Sequence, residues 1–414
     1  MQAYLVGGAV RDLELGKIPK DQDWVVVGAT QQEMLDEGFS QVGADFPVFL
    51  HPETGDEYAL ARREKSTGKG YHDFETDFGR DVTLEEDLFR RDLTINSMAM
   101  TDTGQVIDPY GGLIDLNNYV LRATSAAFKE DPVRVLRLAR FRAQLGPHWK
   151  VETGTMHMCN VMGHRGDLTE LTAERVSKEL FKALESDHPR VFFDTLDELG
   201  ALEILFPVIF KMKSVKENLK WHPEGNTYEH TMLVLEAAKA YNATLPQMYN
   251  ALVHDFGKTL TDPKDYPSHH GHENTGVKLV NAFSDEMRVP AATKKNSAII
   301  CRYHMHMHRL HVMRAKTYVK MFDGMGAANN SQIVSDLLVM GVADMRGKLG
   351  SENAKADELW KLISLYHGYR DVKFMDVCGE KGYDPTKMKG ERCKQVLYQA
   401  RTVAIDAKME AMET

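Results

Sequence analysis

Near residue 130 the spacing of apolar residues changes, and that change constrains the fold more than any other feature. Before it, short apolar or branched runs (YLVGG from Tyr4, WVVVG from Trp24, PVFLH from Pro47, YALAR from Tyr58) stop at Gly, Asp or Pro, as strands do. Helical signals intervene, such as Gln31 to Glu37 behind Thr30, a residue suited to an N-cap. After it, VRVLRLARFRAQL, TAERVSKELFKALE and PRVFFDTLDELGALEILF carry apolar residues at helical spacing. The expectation is an α+β chain: a mixed head, then an all-helical body. FPVIFKMKSVKENLKWHPEG, from Phe206 to Gly225, is rich in turn formers and is expected to be a linker.

Length fits this division. A chain of 414 residues exceeds one core and suggests two to four domains. With 43% hydrophobic and 27% charged residues, global disorder and fibrous repeats are excluded. There is no run of eighteen apolar residues, and MQAYLVGGAVRD lacks the basic and apolar regions of a signal peptide. The four cysteines, Cys159, Cys301, Cys378 and Cys393, have no metal-site spacing, so a reduced cytoplasmic protein is expected. The net charge of −9 excludes binding nucleic acid through bulk charge alone and leaves that role to a local basic surface.

Three clusters in the head carry chemistry. Tyr4 to Asp12 reads strand, Gly7-Gly8 turn, then helix start; glycines there admit a phosphate to the backbone, and Arg11 adds a fork of donors. Two glycines alone are equally those of a plain β–α turn. Asp21-Gln22-Asp23 opens WVVVG, and on a strand residues two apart share a face. Two such carboxylates repel unless a cation lies between them, and hard oxygen ligands suit Mg²⁺. Taken alone, the triplet is also a solvated turn. The third cluster is RRDLTIN, Arg90 to Asn96, in which Asp92 and Asn96 at helical spacing address one ligand and two arginines suit a triphosphate. A turn at Asp108 to Gly112 follows, and then Glu130-Asp131-Pro132-Val133-Arg134 leads into Arg137 and Arg140. By spacing alone, those three arginines form a stripe on a solvated face.

In order, GGAVRD, DQD, RRDLTIN and EDPVR resemble the class II tRNA nucleotidyltransferases, the bacterial CCA-adding enzymes, whose head is like that of DNA polymerase β. The resemblance continues through LTAERV, Leu171 to Val176, and the motif set is shared with the poly(A) polymerases. It implies that Asp21 and Asp23 hold Mg²⁺ and are catalytic. It implies that Gly8, Arg11, Arg91, Arg137 and Arg140 bind CTP and ATP, and that Asp92 reads the ribose 2′-hydroxyl. Asp131 and Arg134 match the pair that reads the base edge in place of a template strand. A carboxylate accepts from cytosine N4 or adenine N6 and an arginine donates to ring acceptors; uracil and guanine offer the opposite pattern.

Histidines mark the second half. Ten of 17 fall between His222 and His311, where about four are expected by chance. His230 lies in NTYEHTMLVLEAA and His254-Asp255 in YNALVHDFGKT, both helical in pattern. His269, His270 and His272 follow in YPSHHGHEN; His304 and His308 share a helical face in CRYHMHMHRLH; and Asp344 lies in GVADMRG. Imidazoles and carboxylates gathered from several helices make a transition-metal site. H…HD…H…D resembles the HD superfamily of metal-dependent phosphohydrolases, with His230, His254, Asp255 and Asp344 at the matching positions. His272, His304 and His308 are further candidates for a second metal or for phosphate, while His306 and His311 fall off the shared face. In multifunctional CCA-adding enzymes such a domain implies phosphatase, 2′-nucleotidase and 2′,3′-cyclic phosphodiesterase activity, with Ni²⁺ or another transition metal.

The expected organisation is a polymerase-β-like nucleotidyltransferase head with a small mixed sheet over 1–138 and a helical neck with the nucleotide template and linker over 139–220. An all-α HD domain over 221–345 and a helical tail over 346–414 follow. Expected partners are the tRNA 3′ end, CTP and ATP, with no membrane, for a monomer or homodimer. The segment from Lys381 to Arg401 is locally basic, which suits tRNA phosphates or a solvated face equally. Rival readings are a poly(A) polymerase, an enzyme adding only CC or only A, and an HD phosphohydrolase whose head merely binds tRNA. The first family usually ends in a strongly basic extension, whereas this chain ends VAIDAKMEAMET, and the intact aspartate pair argues against the last.

Overall fold

A computed structural model describes residues 1–42, 48–66 and 74–413. The chain divides into two compact units, Met1–Leu205 and Phe206–Thr414. The first nine strands are β1 (Gln2–Val6), β2 (Asp23–Val27), β3 (Ser40–Val42), β4 (Val48–Leu50), β5 (Glu57–Leu60), β6 (Arg63–Ser66), β7 (Phe74–Asp77), β8 (Ala99–Met100) and β9 (Val106–Ile107). Seven of them form one sheet in the order β3-β4-β5-β2-β1-β8-β9, while β6 and β7 pair antiparallel with each other. The pairs are antiparallel except β2 with β5, so the sheet is mixed. All four expected apolar runs contribute strands, although Pro47 of the third lies outside the described residues.

Alternation along the strands makes two apolar faces. Tyr4, Val6 and Val25 face one side and pack with Val82, Leu84, Leu88 and Ala99, so the helix Leu84–Phe89 covers that face. Leu5 packs on the other side with Ala9, Val10 and Met98, which seats the helix Gly8–Glu14. Thr30 does cap the helix Gln31–Asp36, in a reciprocal capping box with Glu33. Beyond residue 130 the helix Val133–Leu145 packs against Ala173–Glu185 and Pro189–Glu198.

In the second unit the helices Thr227–Ala240, Leu245–Val253, Ala291–Tyr303 and Gln332–Arg346 pack around one another, and His272–Glu286 lies along Ala291–Tyr303. The expected linker is not a loose one. It forms the helix Pro207–Met212 and then a loop closed by an antiparallel bridge between Lys216 and Asn226. Among the described residues no helix is long and apolar enough to cross a membrane.

One glycine fixes where the His-Asp pair sits. After His254-Asp255 the chain turns through a 3-10 helix, Phe256–Leu260, that presses on the helix His272–Glu286. A Cβ on Gly257 would overlap the His272 carbonyl oxygen and sit 2.7 Å from the Gly276 nitrogen, both rigid backbone atoms. Gly257→Ala should therefore destabilise the second unit by about 1–3 kcal/mol, the usual range for overpacking. A thermal melt should show a transition several degrees lower, and an unchanged melt would contradict the close approach.

Candidate functional site

The head site grows from the end of β1. Asp23 heads β2 and stands opposite Val6, the last residue of β1, with Gly7-Gly8 immediately after. Asp21 lies in the bend before β2 begins, so the pair is not carried on one strand as expected. Both carboxylates are exposed. Glu57 pairs in register with Asp23 across β5, and in-register partners project from the same face. This third carboxylate was missed in the sequence. Its only signal is its place at the head of the EYAL run.

Gly7 has φ +71°, and a Cβ there would come within 2.9 Å of Arg91 Nη1. The turn thus needs glycine for its backbone and for the guanidinium beside it. Asp87 holds Arg91, at 3.0 Å, and Arg90, at 2.7 Å. Burial raises the Asp87 carboxyl, but Arg91 and Arg90 outweigh it and hold it below the usual range.

Asp92 and Asn96 do meet, although through a 3-10 turn, Thr94–Asn96, and not an α-helix. Asn96 donates Nδ2–H to Asp92 at 3.0 Å and accepts from Arg11 at 2.8 Å. Arg137 donates to the other Asp92 oxygen at 2.7 Å. Burial pushes Asp92 up; Arg137 dominates and keeps it well below the carboxylate range. The arginine stripe is not a solvated face, although Arg137 is only half-buried. Arg134 and Arg140 are buried, and Arg140 pairs with Glu179.

Phe141 was also missed, because a phenylalanine at helical spacing reads as plain core. Its ring lies 5.3 Å from the Arg11 guanidinium, 5.4 Å from Arg137 and 4.2 Å from Arg140. One aromatic ring thus stands beside three like charges. Nearby, Arg175 of LTAERV grips both Asp131 oxygens at 2.8 and 2.7 Å, and Arg134 donates to the Ala127 carbonyl at 2.7 Å.

The second unit holds a buried cluster. His230, His254 and Asp344 offer ligand atoms within metal-binding distance of one another, as do Asp255, His272 and His304, and also His222, Glu224 and His230. Asp255 joins the first two groups: one oxygen lies 3.2 Å from His254 Nε2, the other 3.1 Å from His272 Nε2 and 3.4 Å from His304 Nε2. All seven expected residues converge except His308, which bonds Asp344 from the rim at 2.8 Å. His304 and His308 were expected to share an α-helical face. The segment is a 3-10 helix, so residues four apart diverge. His306 and His311 take no part in these groups. His269 instead bonds Thr261 and the Lys216 carbonyl.

The donor chemistry fits a transition metal. Nδ1 of His254, His272 and His304 donates to the backbone carbonyls of Ala251, His269 and Cys301 at 2.8, 2.7 and 2.6 Å. Nδ1 of His230 lies 2.9 Å from Glu224 and 3.1 Å from the Gly347 carbonyl. Each imidazole is thereby fixed with Nε2 turned inward, the arrangement that orients metal-bound histidines. His254 Nε2, Asp255 Oδ1 and Asp344 Oδ1 are buried with no hydrogen-bond partner among the described residues. Orphaned acceptors at that depth are costly unless a cation satisfies them.

Charge supports this. Burial pulls His230 down, but Asp344 and Glu224 outweigh it and raise it to about 9. His304, where burial wins, falls to about 4. Asp255 and Asp344 lie well below the carboxylate range: burial opposes this, but His254 and Lys258 act on the first and His308 and His230 on the second. Lys258, Glu217 and Glu224 were missed in the sequence. Lys258 bridges Asp255 at 2.8 Å and Glu217 at 2.9 Å; only its place three residues after Asp255 hinted at it.

Residues 3–122 match the family described as the poly A polymerase head domain, and residues 150–212 match that described as the probable RNA and SrmB-binding site of polymerase A. Among solved structures, the Bacillus stearothermophilus CCA-adding enzyme in complex with CTP is 20% identical, with 98% of this chain and 89% of that one covered and a TM-score of 0.66. A CCA-adding enzyme with ATP is 18% identical, over 100% and 90% of the two chains, with a TM-score of 0.63. A tRNA-processing enzyme in an apo form is 21% identical, over 98% and 93%, with a TM-score of 0.59. The head therefore matches the poly A polymerase head domain, and the chain as a whole has the fold of the CCA-adding enzymes, a polymerase-β-like head followed by a helical body.

Proposed function

We propose that this protein is a tRNA nucleotidyltransferase that adds and repairs the 3′-terminal CCA from CTP and ATP without a nucleic-acid template. The carrying observation is that Asp23, Gly7-Gly8 and Arg91 meet at the end of one strand pair. Asp21, Asp23 and Glu57 are oxygen donors suited to Mg²⁺, which neutralises phosphate charge when bound. Arg11, Arg91, Arg137 and Arg140 bind the triphosphate, and Asp92, braced by Asn96 and Arg137, accepts from the ribose 2′-hydroxyl. Asp131 and Arg134 read the base edge, with Arg175 fixing the angle of Asp131.

We further propose that the second unit is a phosphohydrolase acting on 2′-phosphates and 2′,3′-cyclic phosphates. His230, His254 and Asp344 would hold one transition metal and Asp255, His272 and His304 another; either supplies Lewis acidity to a phosphate. The four converging Nε2 atoms support this reading. The functional parts are then a head over 1–138, a neck over 139–220, the phosphohydrolase over 221–345 and a tail over 346–414, in the cytoplasm.

Incubating tRNA that lacks its CCA end with CTP and ATP tests the first reading. A full CCA end is expected, and a poly(A) tract, CC alone, A alone or no product each favours a rival. Asp23→Ala should abolish incorporation of both CMP and AMP and spare hydrolysis of 2′,3′-cyclic AMP; substantial residual transfer would remove Asp23 from the metal site.

Base choice has its own check. Arg134→Ala and Arg175→Ala should both lower the ratio of kcat/KM for CTP to that for UTP, by about tenfold if one hydrogen-bonded contact of 1–3 kcal/mol is lost. If both ratios stay unchanged, selection lies elsewhere.

The last test separates the two units. His254→Ala with Asp255→Ala should eliminate phosphohydrolysis and leave CCA addition nearly intact, and a chelator selective for transition metals should split the activities the same way in the unsubstituted protein. Joint loss of both activities with a lowered Tm would mean that the pair is only core.

A further inference from the structure

One corner of the buried cluster has no role in the phosphohydrolase reading. Glu224 is the hub of that corner. It takes His222 Nδ1 and His230 Nδ1, each at 2.9 Å, and the backbone N–H of Leu349 at 3.4 Å. Two separate segments thus meet one step from His230, and both bring apolar side chains into water. Leu219 is 68%, Trp221 62% and Leu349 56% exposed.

These side chains do not sit on a loose loop. The Lys216–Asn226 bridge closes it, and Glu217 N–H donates to the Gly225 carbonyl at 3.0 Å. Trp221 and His222 both donate backbone N–H to the Asn218 carbonyl, at 2.9 and 2.8 Å. Glu217 itself is buried and carries Thr227 at 2.7 Å and Lys258 at 2.9 Å. The loop is therefore clamped to the same lysine that holds Asp255. Leu219 lies against Gly225, where a Cβ would be 3.8 Å from Leu219 Cδ2.

A rigid loop that holds an indole in water beside a metal-type cluster is built to cover an apolar partner there. Lys220 Nζ stands 4.8 Å from the Trp221 ring centroid and adds positive charge at the same point. A flat ring that stacks, joined to an anion that meets a cation, describes a nucleotide. We propose that Trp221, with Lys220 beside its ring, stacks the base of a nucleoside 2′,3′-cyclic phosphate or 2′-phosphate whose phosphate lies at the histidine cluster. This rests on the phosphohydrolase reading and adds what that reading lacks, a reason for nucleotide over simple phosphate ester.

The test uses the full chain, Trp221→Ala and Trp221→Phe, with two substrates: 2′,3′-cyclic AMP, and glycerol 2-phosphate, which has no ring. For Trp221→Ala, KM for the cyclic nucleotide should rise about tenfold, within the range for loss of one base–aromatic stack, while glycerol 2-phosphate changes less than about twofold. Trp221→Phe should restore most of the loss. In chelator-treated protein, which does not turn substrate over, 2′,3′-cyclic AMP should quench tryptophan fluorescence, and Trp221→Phe should remove that quenching. Equal effects on both substrates, or no effect on either, would overturn the stacking site. If neither substrate is hydrolysed with any added metal, the phosphohydrolase reading fails; quenching that depends on Trp221 would then still establish the base platform, and its absence would overturn that too.

Discussion

Asp255 carries the constraint around which the second unit is arranged. Its side chain is 2% exposed, and so is that of Glu224; Asp344 and Glu217 are buried beside them. Against these four carboxylates stands one ammonium, Lys258, already shared between Asp255 and Glu217. Burying an uncompensated charge costs several kcal/mol, which is comparable to the whole stability of a domain. The deficit falls on the imidazoles. His230 and His272 are raised: burial lowers both, but the neighbouring carboxylates outweigh it. Protons on these rings stand where a divalent cation would serve as well, so binding of a metal at the proposed site would be coupled to proton release.

The head solves the inverse problem. Arginines gather where a triphosphate is proposed to bind, and like charges must be held together before the anion arrives. Asp87 anchors Arg90 and Arg91 and Asp92 anchors Arg137, while the Phe141 ring takes the faces of Arg11, Arg137 and Arg140. A desolvated cation–π contact contributes about 2 kcal/mol. It does so without consuming the positive charge that a phosphate would meet. That distinguishes Phe141 from the aspartates, which cancel part of it. Preorganisation of this kind removes reorganisation cost when ligand binds.

Much of this was legible in the sequence, and the failures have common causes. The strand runs and the Thr30 cap declare themselves through local pattern, and the structure keeps them. The metal-type cluster was legible because histidine is rare enough that ten in one window stand out. What escaped depends on tertiary neighbours. Arg134 and Arg140 look solvated by spacing, yet Glu179 and Phe141, which bury the latter, lie elsewhere in the sequence or read as plain core. Register across β2 and β5, invisible in one dimension, brings Glu57 to Asp23. The segment after Phe206 has the composition of a linker, but Glu217 and His222 tie it to the cluster. A 3-10 turn and an α-helix share a polar pattern over so few residues, which is why His304 and His308 part company.

The contrast between the two sites follows from exposure as much as from ligand type. Asp21 and Asp23 are exposed, so Mg²⁺ at the proposed site would keep most of its hydration and need only one or two carboxylates beside a substrate phosphate. The histidine cluster is buried, three of its rings locked through Nδ1 to backbone carbonyls, so a metal at the proposed site would exchange water for imidazole nitrogens at fixed angles. An exposed carboxylate pair discriminates poorly among hard cations but exchanges them freely, as a site that binds metal with each nucleotide requires. A buried cluster would select strongly and hold its metal. Each demand excludes the other in a single pocket, which gives a physical reason for one chain to keep them in separate compact units.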